Sequence, residues 1–211
     1  CFSCYPTKNL GGIGDAGLIT TNKKKLYEKL IKLRQYGWNK KGESLYLGRN
    51  SRLDEIQATI LRVKLKSLEK SNLKRRKIAK YYFKELKNLP IYLPKEDKSN
   101  FHVYHLFVIK LENENLRNKI INYFKQNDVI LGIHYPIPVH KQKGFKKIIK
   151  IKSSMKVSED LSNKIISLPI YPEIKRIEVY KVINLFKKFF NEENKWLKKI
   201  GMERFGKVFT D

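Results

Sequence analysis

The chain has 211 residues, 41% of them hydrophobic and 12% aromatic, enough for a sizeable core in one or two domains. No apolar run approaches the length of a membrane span, no signal-peptide pattern opens the chain, and two cysteines make no disulfide framework, so a cytoplasmic location is the default. The formal net charge is +26, a value that on its own points to nucleic acid or an anionic membrane. Its lysines are spread along the whole chain, densest at Lys23-Lys24-Lys25 and Lys74-Arg75-Arg76-Lys77. With no helix-turn-helix, zinc-finger or RNA-recognition signature, this predicts solvated lysine-rich faces and at most weak, non-specific polyanion attraction.

Cys1 to Thr21 reads as two short apolar stretches, the second a strand at Leu18 to Thr21, flanking a loop that carries Lys8. Pro6 stiffens the approach, and Gly11, Gly12, Gly14 and Gly17 let the backbone turn tightly or approach a ligand closely. Asp15 is placed to stabilise this turn. Cys1 and Cys4 form a C-x-x-C with no second pair to complete a zinc site, so no metal is expected. Asn22 suits a helix cap, with Leu26, Leu30 and Leu33 on one face and Gly37 as the stop. A polar loop runs from Trp38 to Arg49.

Ser51 and Asp54 resemble a capping box for the longest helical signal, 51–89, with Leu53, Ile56, Ile60, Leu61, Val63, Leu65 and Leu68 in its apolar stripe. Pro90 and Pro94 end it. Beyond, Val103 to Leu111 reads as a strand, Leu116 to Lys125 as a helix and Val129 to Ile133 as a strand leading into a proline-rich loop, His134 to His140. Ser158 caps a short helix through Ile166. Pro172 opens the last helix, whose stripe is Ile174, Ile177, Val182, Leu185, Phe186 and Phe189. The expected class is α/β. The charged tail at 191–211 has no clear pattern.

On spacing alone, Lys8 is one surface lysine among many. A desolvated lysine, however, loses its charge and attacks carbonyls to form Schiff bases. The run Ser3-Cys4-Tyr5-Pro6-Thr7-Lys8-Asn9-Leu10-Gly11, followed by Gly14-Asp15-Ala16-Gly17, resembles the signature of the DegT/DnrJ/EryC1/StrS sugar aminotransferases. Three further blocks agree in order: Tyr36-Gly37-Trp38, Asn50-Ser51-Arg52-Leu53-Asp54-Glu55-Ile56-Gln57-Ala58, and Gly132-Ile133-His134-Tyr135-Pro136-Ile137-Pro138-Val139-His140. The resemblance extends from Cys1 to about Phe190. Cys4, where the family usually has an aromatic residue, and Ala16, where glycine is common, depart from it.

The resemblance implies the C-terminal part of a fold-type I transferase dependent on pyridoxal 5'-phosphate (PLP). Residues 1–50 would be the end of the large domain, 51–89 a long linking helix, 90–190 a small α/β domain and 191–211 a charged tail. It implies that Lys8 is the Schiff-base lysine and proton shuttle, that Ser3 and Asn50 bind the cofactor phosphate, and that Arg52, His134 and Tyr135 contact the substrate. Asn50 reaches across from a neighbouring subunit in the family, so a homodimer with shared sites is expected. The implied reaction moves an amino group, with glutamate as donor, to a nucleotide-linked keto sugar in polysaccharide or secondary-metabolite biosynthesis. The family's acidic partner for the pyridine nitrogen and its ring-stacking group precede the lysine and are not found here. A non-catalytic fragment of such an enzyme, or a basic polyanion-binding module, stays open as an alternative. His140 carries a weaker match, and His102 and His105 read as structural.

Overall fold

The computed structural model describes residues 1–145 and 148–199, with side chains through Glu193. The protein divides into two units, Cys1–Ser71 and Asn72–Asp211.

In the first unit, strand β1 (Phe2–Ser3) pairs antiparallel with β2 (Gly17–Leu18), Phe2 opposite Leu18 and Ser3 opposite Gly17. The flanking stretches are therefore the two sides of one hairpin, but they are not buried. Phe2 is 59% and Leu18 41% exposed, because a two-stranded ribbon has no second layer on its faces within this unit. Cys4 is the exception at 1%. Helix α1 spans Lys24–Leu33. Asn22 does not cap it: Lys23 holds the cap position and takes Thr21 Oγ1 as acceptor for its own N–H.

Gly37 closes the exit from α1. Its φ is +76°, its N–H donates to Lys32 O, and a Cβ there would meet Tyr46 O at 1.9 Å. The same turn draws the 44–51 segment back against the helix end. Tyr36 N–H donates to Arg49 O, Arg49 N–H to Leu33 O and Ser51 N–H to Arg34 O, and Asn50 bridges Gln35.

The signal over 51–89 folds as two helices, α2 (Glu55–Leu65) and α3 (Leu68–Leu86). The break has a local cause. Ser67 donates both its N–H and its Oγ–H to the Lys64 carbonyl, which removes that acceptor from the continuing helical ladder. Asp54, with no side-chain cap bond, precedes α2, so Ser51 and Asp54 do not make a capping box. The boundary between the two units falls within α3, so this stretch is divided between them.

The second unit carries the core. Strand β3 (Phe107–Lys110) pairs antiparallel with β4 (Ile165–Leu168) in the register Phe107 to Leu168 and Val108 to Ser167. Single bridges extend the sheet at both edges, Tyr92 to Lys110 and Gly132 to Ser167. The expected strand at Val129–Ile133 is reduced to that one bridge. Its chain runs straight on into the loop holding Pro136 and Pro138, which have no N–H to continue a ladder. Helix α4 (Glu114–Gln126) is capped by Asn113, whose side chain accepts from Leu116 N–H at 2.9 Å. It ends where Asp128 takes a φ of +58° and Val129 N–H folds back to Phe124 O.

Helix α5 (Lys156–Lys164) begins two residues before Ser158, which lies inside it and does not cap it. The helix gives way at once to the β-branched Ile165–Ile166 pair in β4. Helix α6 (Arg176–Lys199) starts four residues after Pro172, with Glu178 Oε2 accepting from Lys175 N–H. The tail that had no clear pattern is helical as far as Lys199, and residues 200–211 lie outside the described residues.

The core of this unit collects Tyr82, Leu86, Phe107, Ile109, Ile120, Phe124, Ile166, Ile183 and Phe186. Phe124 and Phe186 lie 4.6 Å apart between ring centroids and Tyr82 and Phe107 5.1 Å. Ile177, assigned to the α6 stripe, is 74% exposed; Val179, Val182, Ile183, Leu185, Phe186, Phe189 and Phe190 form the buried face. Arg75 is buried against this core with no carboxylate in contact among the described residues. Its Nη1 donates to the carbonyls of Tyr104, His105 and Ile170. Burial lowers its pKa, with Glu173 opposing.

Candidate active site

Lys8 sits on a turn fixed at both ends. Lys8 N–H donates to Tyr5 O at 2.8 Å, Gly12 N–H to Cys4 O at 2.9 Å, and Cys4 N–H to Ala16 O at 2.8 Å. Gly11 is required there. A Cβ would stand 2.4 Å from Pro6 O and 2.9 Å from Tyr5 O, both backbone atoms.

Helix α2 clamps the far side of the turn. Lys64 Nζ donates to Gly11 O, and Gln57 Oε1 accepts from Ile13 N–H at 2.9 Å. Asp15, by contrast, is exposed and has no side-chain partner among the described residues, so Gln57 and Lys64, not Asp15, stabilise the glycine-rich turn. Lys8 is half-buried, and its amine has no hydrogen-bond or ion-pair partner among the described residues. Ser3 lies on the same hairpin. Its Oγ accepts a long 3.4 Å bond from Tyr5 N–H, which leaves the hydroxyl hydrogen free to donate.

Asn50 and Arg52 form a pair. Arg52 Nε donates to Asn50 Oδ1 at 3.0 Å. That fixes the amide so that Nδ2 stays a donor, and it leaves both terminal guanidinium nitrogens without a partner among the described residues. The pair owes its place to the turn at Gly37, which anchors the chain on either side of it.

In the second unit, His134 and Tyr135 adjoin across a cis peptide, with ring centroids 5.3 Å apart. Tyr135 is 67% exposed, whereas His134 is half-buried with Nδ1 2.8 Å from Ser167 Oγ. The far end of the loop is tied down by Glu159 on α5, whose carboxylate takes His140 Nε2 at 3.0 Å and Lys141 Nζ at 2.8 Å. The Lys141 and His140 bonds hold the Glu159 carboxyl below its ordinary pKa. His102 is structural, its Nδ1 accepting from Tyr104 N–H. Cys1 and Cys4 are both free thiols.

The structure thus brings Ser3 and Lys8 onto one hairpin, Asn50 and Arg52 into one hydrogen-bonded pair, and His134 and Tyr135 side by side. Three supporting residues escaped the sequence reading. Gln57 lies inside the Asn50–Ala58 block, but nothing in the pattern marks it as reaching another segment. Lys64 reads as one more solvated helix lysine, and Ser167 as an ordinary strand serine.

The DegT/DnrJ/EryC1/StrS aminotransferase family model matches residues 1–187, and the chain belongs to that family. It is 44% identical over 202 residues to the dTDP-3-amino-3,6-dideoxy-alpha-D-galactopyranose transaminase of Aneurinibacillus thermoaerophilus, covering 88% of this chain and 54% of that protein. It is 35% identical over 188 residues to the UDP-N-acetyl-3-dehydro-alpha-D-glucosamine 3-aminotransferase of Acidithiobacillus ferrooxidans, covering 89% of this chain and 50% of that protein.

 The solved structure of DesV from S. venezuelae, in complex with a ketimine intermediate, superposes with a TM-score of 0.82 at 34% identity, covering 89% of this chain and 50% of that one. The chain spans about half the length of the curated relatives it matches. Its α/β fold is that of part of a fold-type I PLP-dependent transferase. Among the described residues no helix is long and apolar enough to cross a membrane.

Proposed function

We propose that these residues form part of a PLP-dependent aminotransferase that converts a nucleotide-linked keto sugar to an amino sugar, with glutamate as donor. The observation that carries this reading is the Lys8 turn: a half-buried lysine whose amine has no partner among the described residues, on a backbone locked by Gly11, Gln57 and Lys64. The exposed apolar side chains of the first unit, among them Phe2, Ile13, Ile19, Ile56 and Val63, support it as a part that packs against further polypeptide. The named activities of the relatives point to the nucleotide-sugar substrate.

The residues present fit the cofactor in part. Lys8 supplies the amine, and the Ser3 hydroxyl and Asn50 Nδ2 supply unoccupied donors suited to a phosphate oxygen. When bound, the cofactor supplies an electron sink for the carbon that exchanges its proton. Lys8 Nζ is the attachment group and afterwards the base and acid that moves that proton. Ser3 and Asn50 hold the phosphate, Asn50 from a partner subunit in a homodimer. Arg52 offers a planar fork to a carboxylate or phosphate of the substrate, and His134 and Tyr135 orient the sugar. A substrate drawn from the nucleotide-sugar pool accords with a cytoplasmic enzyme of polysaccharide or secondary-metabolite biosynthesis.

The test is borohydride reduction of the full-length gene product with PLP, followed by peptide mapping. The label is expected on Lys8 and is expected to vanish in Lys8→Ala. A label on another lysine would refute the assignment.

A further inference from the structure

Ser167 joins β4 to the His134 loop through both its backbone and its side chain. Its N–H donates to Gly132 O at 2.8 Å and its carbonyl accepts from Gly132 N–H at 3.3 Å. Its Oγ lies 2.8 Å from His134 Nδ1. The imidazole is also confined from the loop side. A Cβ on Gly132 would stand 2.8 Å from His134 Cε1 and 3.3 Å from Nδ1, so the ring lies over a position that only glycine leaves open.

The direction of the Ser167–His134 bond follows from counting hydrogens. Ser167 is 5% exposed, and His134 Nδ1 is the only partner of its Oγ among the described residues. A hydroxyl has one hydrogen to give. If Nδ1 carried the ring hydrogen and donated it, the hydroxyl hydrogen would be buried without an acceptor. Buried donors in that state are rare and costly. The hydroxyl therefore donates, Nδ1 accepts, and the hydrogen of the neutral ring resides on Nε2.

We propose that Ser167 is a positioning residue that fixes His134 as its Nε2–H tautomer, so that the loop presents one N–H donor to an acceptor oxygen of the nucleotide-linked sugar. The tautomer stands on the geometry alone. The delivery of that donor to the substrate rests on the reading of His134 given above. A donor at this point selects for a ligand oxygen that accepts, and it disfavours an amine or ammonium group in the same place.

Long-range nitrogen–proton NMR on the full-length protein labelled at histidine tests both halves. A His134→Gln variant identifies the His134 signals by their loss. The wild type is expected to show a protonated Nε2 and an unprotonated Nδ1. Ser167→Ala is expected to give a mixture of tautomers, and Ser167→Thr, which keeps the hydroxyl, to restore the wild-type pattern. A protonated Nδ1 in the wild type, or an unchanged pattern in Ser167→Ala, would overturn the tautomer assignment. Adding dTDP-glucose is expected to shift the Nε2 signal. A shift with dTDP alone assigns the accepting oxygen to the diphosphate, and a shift that needs the glucose assigns it to the sugar. No shift with either would overturn the contact with substrate and leave the tautomer result to be judged separately.

Discussion

Replacing Gly11 by alanine puts a methyl group into the turn that carries Lys8. The new carbon would stand 2.4 Å from Pro6 O, about 1 Å inside ordinary van der Waals contact, with Pro6 C at 2.8 Å and Tyr5 O at 2.9 Å. All three are backbone atoms, and the same stretch is tied by the Lys8-to-Tyr5 and Gly12-to-Cys4 hydrogen bonds. The turn must therefore shift as a unit. Overpacking of this kind costs about 1–3 kcal/mol, and the stiffer unfolded chain of alanine returns about 0.4–1 kcal/mol. The net is about 1.5 kcal/mol, close to a tenfold change in an equilibrium constant. Hydrogen exchange at the Lys8 and Gly12 amides reads that opening directly, with protection expected to fall about tenfold. Gly12→Ala meets Gln57 Oε1 at 2.5 Å and Gly14 O at 3.3 Å; the first is a side-chain end that can shift at the cost of its bond to Ile13 N–H, and the second is a milder overlap, so its effect should be smaller. Gly144→Ala meets nothing within 4 Å and serves as the control. Unchanged protection in Gly11→Ala, or an equal loss in the control, would refute the steric argument.

Two further predictions concern the second unit. Glu96 receives the Arg76 guanidinium, the His102 N–H and the Tyr104 O–H, and this holds its carboxyl down to about 2. The unfolded chain then binds the proton first, so the stabilisation is full above the ordinary carboxylate pKa of 4.5 and is lost as the pH falls toward 2. Glu96→Gln should flatten the decline of the thermal midpoint between those two values, and an unaltered slope would count against it. Arg75→Ala should destabilise by about 3 kcal/mol, since it leaves the carbonyls of Tyr104, His105 and Ile170 without their donor and opens a cavity. Denaturant midpoints measure this, and a loss below about 1 kcal/mol would show that the clamp contributes little to stability.

What the sequence made legible, and what it did not, divides by the range of the interaction. The apolar runs at Leu116–Lys125 and from Val182 to Phe189 are local patterns; α4 formed within two residues of where its pattern placed it, and α6 keeps Val182, Leu185, Phe186 and Phe189 on its buried face while running on beyond the last of them to Lys199. The break at Ser67 was not legible. Serine is tolerated in a helix, and its competition for the Lys64 carbonyl depends on a rotamer. The Val129–Ile133 stretch has strand composition, but how many ladder bonds it makes depends on the path of its neighbour Ser167. At the site, the ordered blocks led to Lys8, Ser3, Asn50, Arg52, His134 and Tyr135 as a set. The groups that hold them, Gln57, Lys64 and Ser167, act across 44, 53 and 33 residues of sequence. A pattern along one chain carries no signal for contacts of that range.

Gln57 and Lys64 are seven residues apart, two helical turns, which is why both reach the same turn from one face of α2. Each further residue of α-helix adds about 100° of rotation and about 1.5 Å of rise. A single insertion or deletion between them would aim one of the two away from the Lys8 turn, whatever residue was added. Helix α2 therefore works as a ruler. Its exposed polar positions such as Thr59 and Arg62 are free to change in kind, while the count of residues from Gln57 to Lys64 is fixed by the turn that they jointly hold.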